Sequence, residues 1–326
     1  MPDRLIGSEQ GGAAVSNHSA ERRVLVLLAT HNGARYLREQ LDSILGQQGV
    51  AVRVVASDDG STDATPSLLA DAAADPRVSV LPPGRFGTPQ ANFLRLLRDA
   101  DLADADAVAL ADQDDIWHAD KLARQLELLD RHAVDATSSN VTAFWERPDG
   151  SRRREVIDKA QPQRELDFLL ESAGPGCTFL LRSTAFLSVR DVLTTHPLVD
   201  PSVPHDWLIY AVTRALGLRW RIDATPTMDY RQHDRNATGA NRGVRPALVR
   251  ARRMASGAYR MQALAVARLT AAVATPALRP QLERIAPLFE RSTFASRAAL
   301  RRLVPELRRA PGERRLLHIA LRLGTW

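Results

Sequence analysis

The sequence lacks features that define several classes of protein. Only one of its 326 residues is cysteine, Cys177, so no disulfide can form within the chain and a reducing compartment is indicated. No run of about 18 apolar residues occurs, and the nearest candidate, residues 261–278, contains Arg268 and is interpreted as a packed helix. Residues 1–21 have no apolar run of signal-peptide length and are predicted to form a disordered tail. We therefore expect a cytoplasmic protein.

Acidic residues are scarce in the last quarter of the chain. Residues 245–326 contain 17 arginines, no lysine and four glutamates, a formal charge of +13, whereas residues 1–244 carry −7. This asymmetry predicts an acidic body and a basic appendage that contacts anionic lipid headgroups, nucleic acid or a second copy of the chain. No nucleic-acid-binding motif occurs, so nucleic acid is not the expected partner. Peripheral contact with the inner face of the cytoplasmic membrane is favoured, and a homo-oligomer is the alternative.

Short apolar runs alternate with helical patterns in the first half of the chain. Strands are predicted at 24–29, 52–56, 78–81 and 107–111, and helices at 36–45, 65–74, 90–98 and 118–132. This order predicts an α/β fold with a mostly parallel sheet flanked by helices. Further strands are predicted at 137–145 and 177–182, and further helices at 183–193 and 206–216. The α/β domain would span 22–244, and short helices broken by five prolines would fill 245–326.

Polar side chains follow three of the predicted strands, where a parallel sheet binds its ligands. The residues are Thr30 to Asn32, Asp58 and Asp59, and Asp112 to Asp115. Carboxylates such as Asp112 and Asp114 suit Mg²⁺ or Mn²⁺, and the alternative is a solvated acidic turn. Asp58 and Asp59 suit a nucleotide base or its ribose, with Thr30 and Asn32 lining the same pocket. The alternative for this second element is a turn in which Asp63 caps the next helix.

Three motifs in this order resemble the family 2 glycosyltransferases, which have a GT-A fold. They are LLATHNGARYLREQLDSIL at 27–45, SDDGSTD at 57–63 and ADQDDIWHADKL at 111–122. PHDW at 204–207 is similar to the acceptor-side motif of that family. GCT at 176–178 and YRQH at 230–233, followed by Asn236 and Gly239, resemble its rhamnosyltransferase-like branch. One departure is His31, which stands where the family usually has tyrosine.

The resemblance implies roles for individual residues. It places Asp59 at the nucleobase with Asp58 beside it, Asp112 near the ribose and metal, and Asp114 on the metal at the donor diphosphate. It makes Asp206 the catalytic base and brings His233 to the diphosphate or the metal. Residues expected around the donor sugar or acceptor are Trp117, His205, Trp207 and Arg231. Core packing is the alternative for both tryptophans, and pairing with acids is the alternative for Arg231.

The implied activity is an inverting transfer of a sugar to a hydroxyl of a saccharide or lipid-linked acceptor, in cell-surface polysaccharide synthesis. L-rhamnose from dTDP-rhamnose is the expected donor sugar, because of the YRQH-like segment. A metal ion offsets the charge of the leaving diphosphate, and one carboxylate acting as base implies a single displacement. The alternatives are a UDP-sugar donor, hydrolysis by the same groups, and nucleotide or nucleic-acid binding without catalysis.

Overall fold

Buried apolar strands form the centre of the molecule. A computed structural model of the protein describes residues 21–147, 149–233 and 257–326. The predicted N-terminal tail up to residue 20, the domain boundary at 244/245, Asn236 and Gly239 lie outside the described residues.

The first half of the chain folds as the pattern predicts. Its strands are β1 (Arg23–Thr30), β2 (Ala51–Asp58), β3 (Val78–Val80) and β4 (Ala107–Ala111). Its helices are α1 (Leu37–Leu45), α2 (Thr65–Ala72), α3 (Pro89–Asp99) and α4 (Lys121–Arg131). The apolar stripe of α1 is buried on the sheet, and the Thr88 hydroxyl caps α3 by accepting a hydrogen bond from the Ala91 amide.

The middle of the chain is built from shorter elements. They are β5 (Ile116–Trp117), β6 (Ala136–Ser139), β7 (Val141–Glu146), β8 (Arg152–Ile157), β9 (Leu180–Arg182), α5 (Ser183–Thr195), α6 (His205–Ala215), β10 (Trp220–Asp223) and β11 (Met228–Arg231).

Two predicted strands differ from the structure. The strand expected at 137–145 is two strands separated by Asn140, because the chain leaves the main sheet after β6 and enters a second, smaller sheet with β7. The side-chain amide of Asn140 holds this passage by donating to the Ala224 carbonyl and accepting from the Lys159 amide. The segment expected to be extended from Cys177 begins as the 3₁₀ turn Gly176–Thr178.

Two sheets position the polar strand ends. The main sheet has the order β10-β6-β9-β4-β1-β2-β3, in which β9 is antiparallel to its neighbours β4 and β6 and every other pair is parallel. The smaller sheet has the order β5-β11-β7-β8. The central strands β4, β1 and β2 are adjacent and parallel, so their carboxyl ends lie at one edge.

Residues 257–326 contain four α-helices, and they share the apolar core of the α/β body. They are α7 (Ala258–Val273), α8 (Arg279–Ile285), α9 (Phe294–Leu307) and α10 (Pro311–Leu323). Among the described residues, none of the helices has both the length and the apolar character needed to cross a bilayer.

The predicted breaks at proline are partly wrong. Pro280 lies in the first turn of α8, where its missing N–H is not needed, and Pro305 lies in the last turn of α9. Pro287 is part of the 3₁₀ turn Ala286–Phe289, whereas Pro276 follows the end of α7 and Pro311 begins α10.

Candidate active site at the carboxyl edge of the sheet

The polar residues that were predicted to gather at one edge do lie together. Thr30 at the end of β1 is in register with Asp58 at the end of β2, and Asp112 directly follows β4 on the other side of β1. The hydroxyl of Thr30 donates to Asp58 Oδ1 at 2.8 Å. Three loops that are distant in sequence therefore form one surface.

Asp58 and Asn32 hold the loops after β1 and β2 in position. Asp58 accepts hydrogen bonds from the amide and the hydroxyl of Ser61 at 2.9 and 2.6 Å. Asn32 Oδ1 accepts from the Thr62 amide at 2.8 Å, and the backbone of Asn32 is left-handed, with φ of 49°. Both side chains shape the pocket, in addition to any contact with a ligand.

Asp59 is buried beside the loop that precedes α3. Its Oδ1 accepts hydrogen bonds from the amides of Phe86 and Gly87, the latter at 3.0 Å. His31 Nδ1 is 2.7 Å from the Asp59 carbonyl oxygen, so the histidine that departs from the family pattern contacts the backbone of this element. The Asp59 loop is thus fixed from two sides.

Gln113 connects the DQDD segment to the end of β1. The backbone amide of His31 donates to Gln113 Oε1 at 2.8 Å, and Gln113 Nε2 donates to the His31 carbonyl at 2.9 Å. A Cβ atom at Gly33 would collide with the Gln113 side chain, so the glycine makes this close approach possible. Sequence reasoning did not assign a role to Gln113, although it lies inside the quoted motif.

The acidic side chains that follow β4 belong to two separate groups of contacts. Asp114 Oδ2 lies 2.8 Å from His233 Nε2, and the His233 ring stacks on Tyr36 with 5.3 Å between ring centroids. Asp112, Asp115 and Cys177 form the second group, in which one atom of each side chain lies within 4.8 Å of the others. The structure thus pairs two of the predicted metal-site residues, Asp114 and His233, and sets Asp112 with two residues that were not predicted as ligands.

These carboxylates suit a divalent cation. Burial, together with the charges of Asp114 and Asp206, raises the pKa of Asp112 to about 7. Burial and the neighbouring acids raise the pKa of Asp115 well above its usual range, and Asp115 Oδ2 has no hydrogen-bond partner among the described residues. A hard cation would relieve this repulsion, since carboxylate oxygens are the ligands that Mg²⁺ and Mn²⁺ prefer.

A buried lysine lies beneath the same segment. Lys121 is fully buried, its ammonium donates to Gln125 Oε1 at 2.7 Å, and it lies 4.3 Å from the centre of the Trp117 ring. Burial lowers the pKa of Lys121 to about 7, and the nearby carboxyl group of Asp115 opposes that shift. Sequence reasoning missed this residue, although it lies inside the third motif.

Arg231 clamps the acidic segment from the second sheet. Its Nε donates to the Asp114 carbonyl at 2.9 Å, and its terminal nitrogens pair with Glu146, at 2.5 Å, and with Glu39. The guanidinium also lies 4.4 Å from the centre of the Tyr36 ring. The side chain is only 2% exposed. The structure therefore favours pairing with acids, the alternative that the sequence left open, over contact with a phosphate.

The first turn of α6 carries the predicted base. The Trp207 amide donates to Asp206 Oδ1 at 2.7 Å, and burial raises the pKa of Asp206 to about 6. The charge of Asp206 contributes to the raised pKa of Asp112, so the two carboxylates are close enough to interact. His205 stacks on Phe93 at 3.8 Å between ring centroids, and burial lowers the pKa of His205 to about 3. This imidazole is neutral.

Neither predicted tryptophan presents a ring to the cleft. Trp117 is 3% exposed and belongs to the core beneath the main sheet. Trp207 is 4% exposed, donates from its indole N–H to the Phe168 carbonyl at 2.8 Å, and stacks on Tyr259. The structure favours core packing for both, and their contact with a sugar is not supported by this geometry.

A carboxylate-rich cleft at the ends of parallel strands, with a separate carboxylate on α6, is an arrangement typical of nucleotide-sugar-dependent enzymes. The family model described as Glycosyl transferase family 2 matches residues 25–188. The chain belongs to this family of glycosyltransferases, as the motifs predicted.

Similar proteins support this assignment. Over 218 residues the chain is 36% identical to the dTDP-rhamnosyl transferase RfbG of Shigella flexneri, a match that covers 66% of this chain and 74% of that protein. It is 34% identical over 120 residues to the succinoglycan biosynthesis protein ExoO of Rhizobium meliloti, a match that covers 36% of this chain and 33% of that protein.

The solved structures show the fold alone. S. aureus TarS 1–349 in complex with UDP-GlcNAc aligns with a TM-score of 0.53 over 93% of this chain and 88% of that chain, with 16% sequence identity. A second structure of S. aureus TarS 1–349 aligns with a TM-score of 0.51. The GT-A fold predicted from the sequence is confirmed.

Proposed function

We propose that the chain transfers L-rhamnose from dTDP-rhamnose to a hydroxyl of a saccharide or lipid-linked acceptor, in the synthesis of a cell-surface polysaccharide. The observation that carries this proposal is the 36% identity to a dTDP-rhamnosyl transferase, in a match that covers 66% of this chain.

The donor nucleotide would lie at the ends of β1 and β2. Asp59 is the proposed partner of the base, and Asp58, Thr30 and Asn32 shape the pocket around it. Asp112 would lie beside the ribose and the diphosphate. Because the pocket is braced by its own hydrogen bonds, it is formed before the nucleotide enters, which lowers the ordering cost of binding.

Asp112 and Asp114 are the proposed ligands of Mg²⁺ or Mn²⁺, with His233 beside Asp114. Bound there, the ion would offset the charge that develops on the leaving diphosphate. Arg231 holds the carbonyl of Asp114, so the clamp fixes the loop that carries both carboxylates. His205 precedes Asp206 and stacks on the buried ring of Phe93, which fixes the start of α6.

Asp206 is the proposed general base. With a pKa of about 6 it is mostly ionised at neutral pH, and its basicity is higher than that of an ordinary aspartate. It takes the proton of the acceptor hydroxyl as that oxygen attacks the anomeric carbon, and the sugar–diphosphate bond breaks on the opposite side. A single displacement of this kind inverts the anomeric configuration.

The test is calorimetric titration with dTDP, UDP and GDP, with and without Mg²⁺ or Mn²⁺. We expect metal-dependent binding of dTDP in the wild type and in Asp206→Asn, and binding weakened at least about tenfold in Asp114→Asn, since only the second variant loses a donor-side ligand. Tighter binding of UDP than of dTDP would indicate that the donor is a UDP-sugar and not dTDP-rhamnose. Equal losses in both variants would contradict the division between donor site and base.

Turnover separates transfer from hydrolysis. With dTDP-rhamnose as donor, we expect dTDP release to depend on an added saccharide acceptor, and NMR of the product to show the inverted anomer. Release that is equally fast without an acceptor would show that water is the nucleophile.

A further inference from the structure

The last helix, α10, has two apolar faces. Leu317, Ala320 and Leu321 are buried in the core. On the other side, Leu316 is 65% exposed, Ile319 is 52% exposed and Leu323 is 71% exposed. Residues spaced by three, four and seven positions share one side of a helix, so the three exposed side chains form a continuous apolar stripe.

Two arginines lie beside this stripe. Arg315 and Arg322 are seven residues apart, are both exposed, and make no ion pair with another described residue. Glu313 is the one acidic residue of α10. It lies more than two helical turns before Arg322, and it pairs with Arg308. The outward side of the helix is therefore apolar and cationic, and no acid among the described residues forms an ion pair with either arginine.

The helix presents this side in a fixed orientation. The Arg314 guanidinium donates to the carbonyls of Arg308 and Arg309 at 2.9 and 2.6 Å, which joins the start of α10 to the end of α9. Trp326, just after the helix, is buried and packs edge-on against Tyr259 at 5.5 Å between ring centroids. The stripe is thus a surface of the folded body.

We propose that this side of α10 docks on an anionic lipid surface. Leu316, Ile319 and Leu323 enter the boundary between headgroups and acyl chains, and Arg315 and Arg322 pair with lipid phosphates. A partner of negative charge fits better than a second copy of the chain. In a two-fold dimer the same side would meet itself and bring the arginines of both copies together. This inference needs no transferase activity.

The test is sedimentation of the full chain with vesicles of phosphatidylcholine alone and of phosphatidylcholine mixed with phosphatidylglycerol. We expect binding to the mixed vesicles only. Arg315→Gln/Arg322→Gln should weaken it about 25-fold, from about fivefold per arginine near an anionic surface. Leu316→Ser/Ile319→Ser/Leu323→Ser should weaken it at least about tenfold, because the stripe no longer inserts.

The controls carry single changes of the same kinds elsewhere on the surface. Leu187→Ser alters a 42% exposed leucine of α5, and Arg221→Gln removes an exposed arginine of β10. Both should bind mixed vesicles as the wild type does, and all variants should unfold at similar temperatures because the altered side chains are exposed. Equal sedimentation with both kinds of vesicle, or equal losses in the controls, would overturn the proposal. So would a wild-type dimer that the leucine variant converts to a monomer while vesicle binding is unchanged.

Discussion

Asp206→Asn should stabilise the protein while it abolishes transfer. Burial raises the pKa of Asp206 from 3.8 to about 6, so ionisation of this group is less favourable in the folded state than in the unfolded state. The shift of about two units corresponds to about 3 kcal/mol, from about 1.4 kcal/mol per unit. The raised pKa contributes stability below pH 4, and that contribution is lost as the pH rises through about 6. Asparagine keeps the shape and the bond to the Trp207 amide without the charge.

The difference in the free energy of unfolding between Asp206→Asn and the wild type, measured by urea denaturation, should therefore grow as the pH rises. Asp206→Asn should exceed the wild type by about 3 kcal/mol at pH 8 and by about half of that at pH 5. Asp191→Asn on α5, an exposed acid, is the matched control and should change little at either pH. An Asp206→Asn variant no more stable than the wild type at pH 8 would refute the burial argument.

The transferase activity should depend on the protonation of the same Asp206 carboxyl group. Loss of a general base lowers kcat by about 10²–10⁴-fold, and donor binding should persist. In the wild type, kcat should fall as the pH drops below about 6, because the protonated carboxyl cannot accept the acceptor proton. A kcat that is flat between pH 5 and 7, in an enzyme that stays folded, would rule out this base.

Three other substitutions test the surroundings of the cleft. Gly176→Ala places a Cβ atom 2.5 Å from His205 Nε2, so steady-state kinetics should show a fall in kcat of about tenfold or more. Because the His205 ring is packed on Phe93, the clash should also cost about 1–3 kcal/mol of unfolding free energy. Arg231→Lys keeps the charge but loses the planar fork, and urea denaturation should show a loss of about 2 kcal/mol. Arg309→Met leaves the fully buried carboxylate of Asp167 with fewer cationic partners and should cost about 3 kcal/mol in the same assay; unchanged midpoints would contradict either estimate.

The sequence predicts the sheet well where each strand is buried on both faces. β1 and β4 are continuous apolar runs, and an apolar run of that length has few other uses in a soluble fold. The strand β8 was missed because four of its six residues are charged and none is buried. Arg152–Ile157 reads RRREVI, which carries no apolar run and becomes a strand only by pairing with β7. Tertiary pairing decides such segments.

The sequence likewise predicts only some of the residues of the candidate site. The motif residues at the strand ends could be placed because parallel topology brings carboxyl ends together. The role of Arg231 could not be placed, because its partners Glu39 and Glu146 belong to α1 and β7, and nothing in the sequence says that these elements meet. Nor does a motif show whether a tryptophan points into a cleft or into the core, as Trp117 illustrates.

The basic C-terminal helices are not a separate appendage, although their charge suggested one. Tyr259 of α7 stacks on Trp207, the residue after the proposed base, and Arg308 donates to the Tyr259 hydroxyl at 2.6 Å. Arg309 is buried against Asp167 and Glu171 of the α/β body. Part of the positive charge of these helices therefore lies inside the fold, where it neutralises buried acids. The helices support the wall that carries Asp206, so we expect that α6 and the proposed base could not keep their position without them.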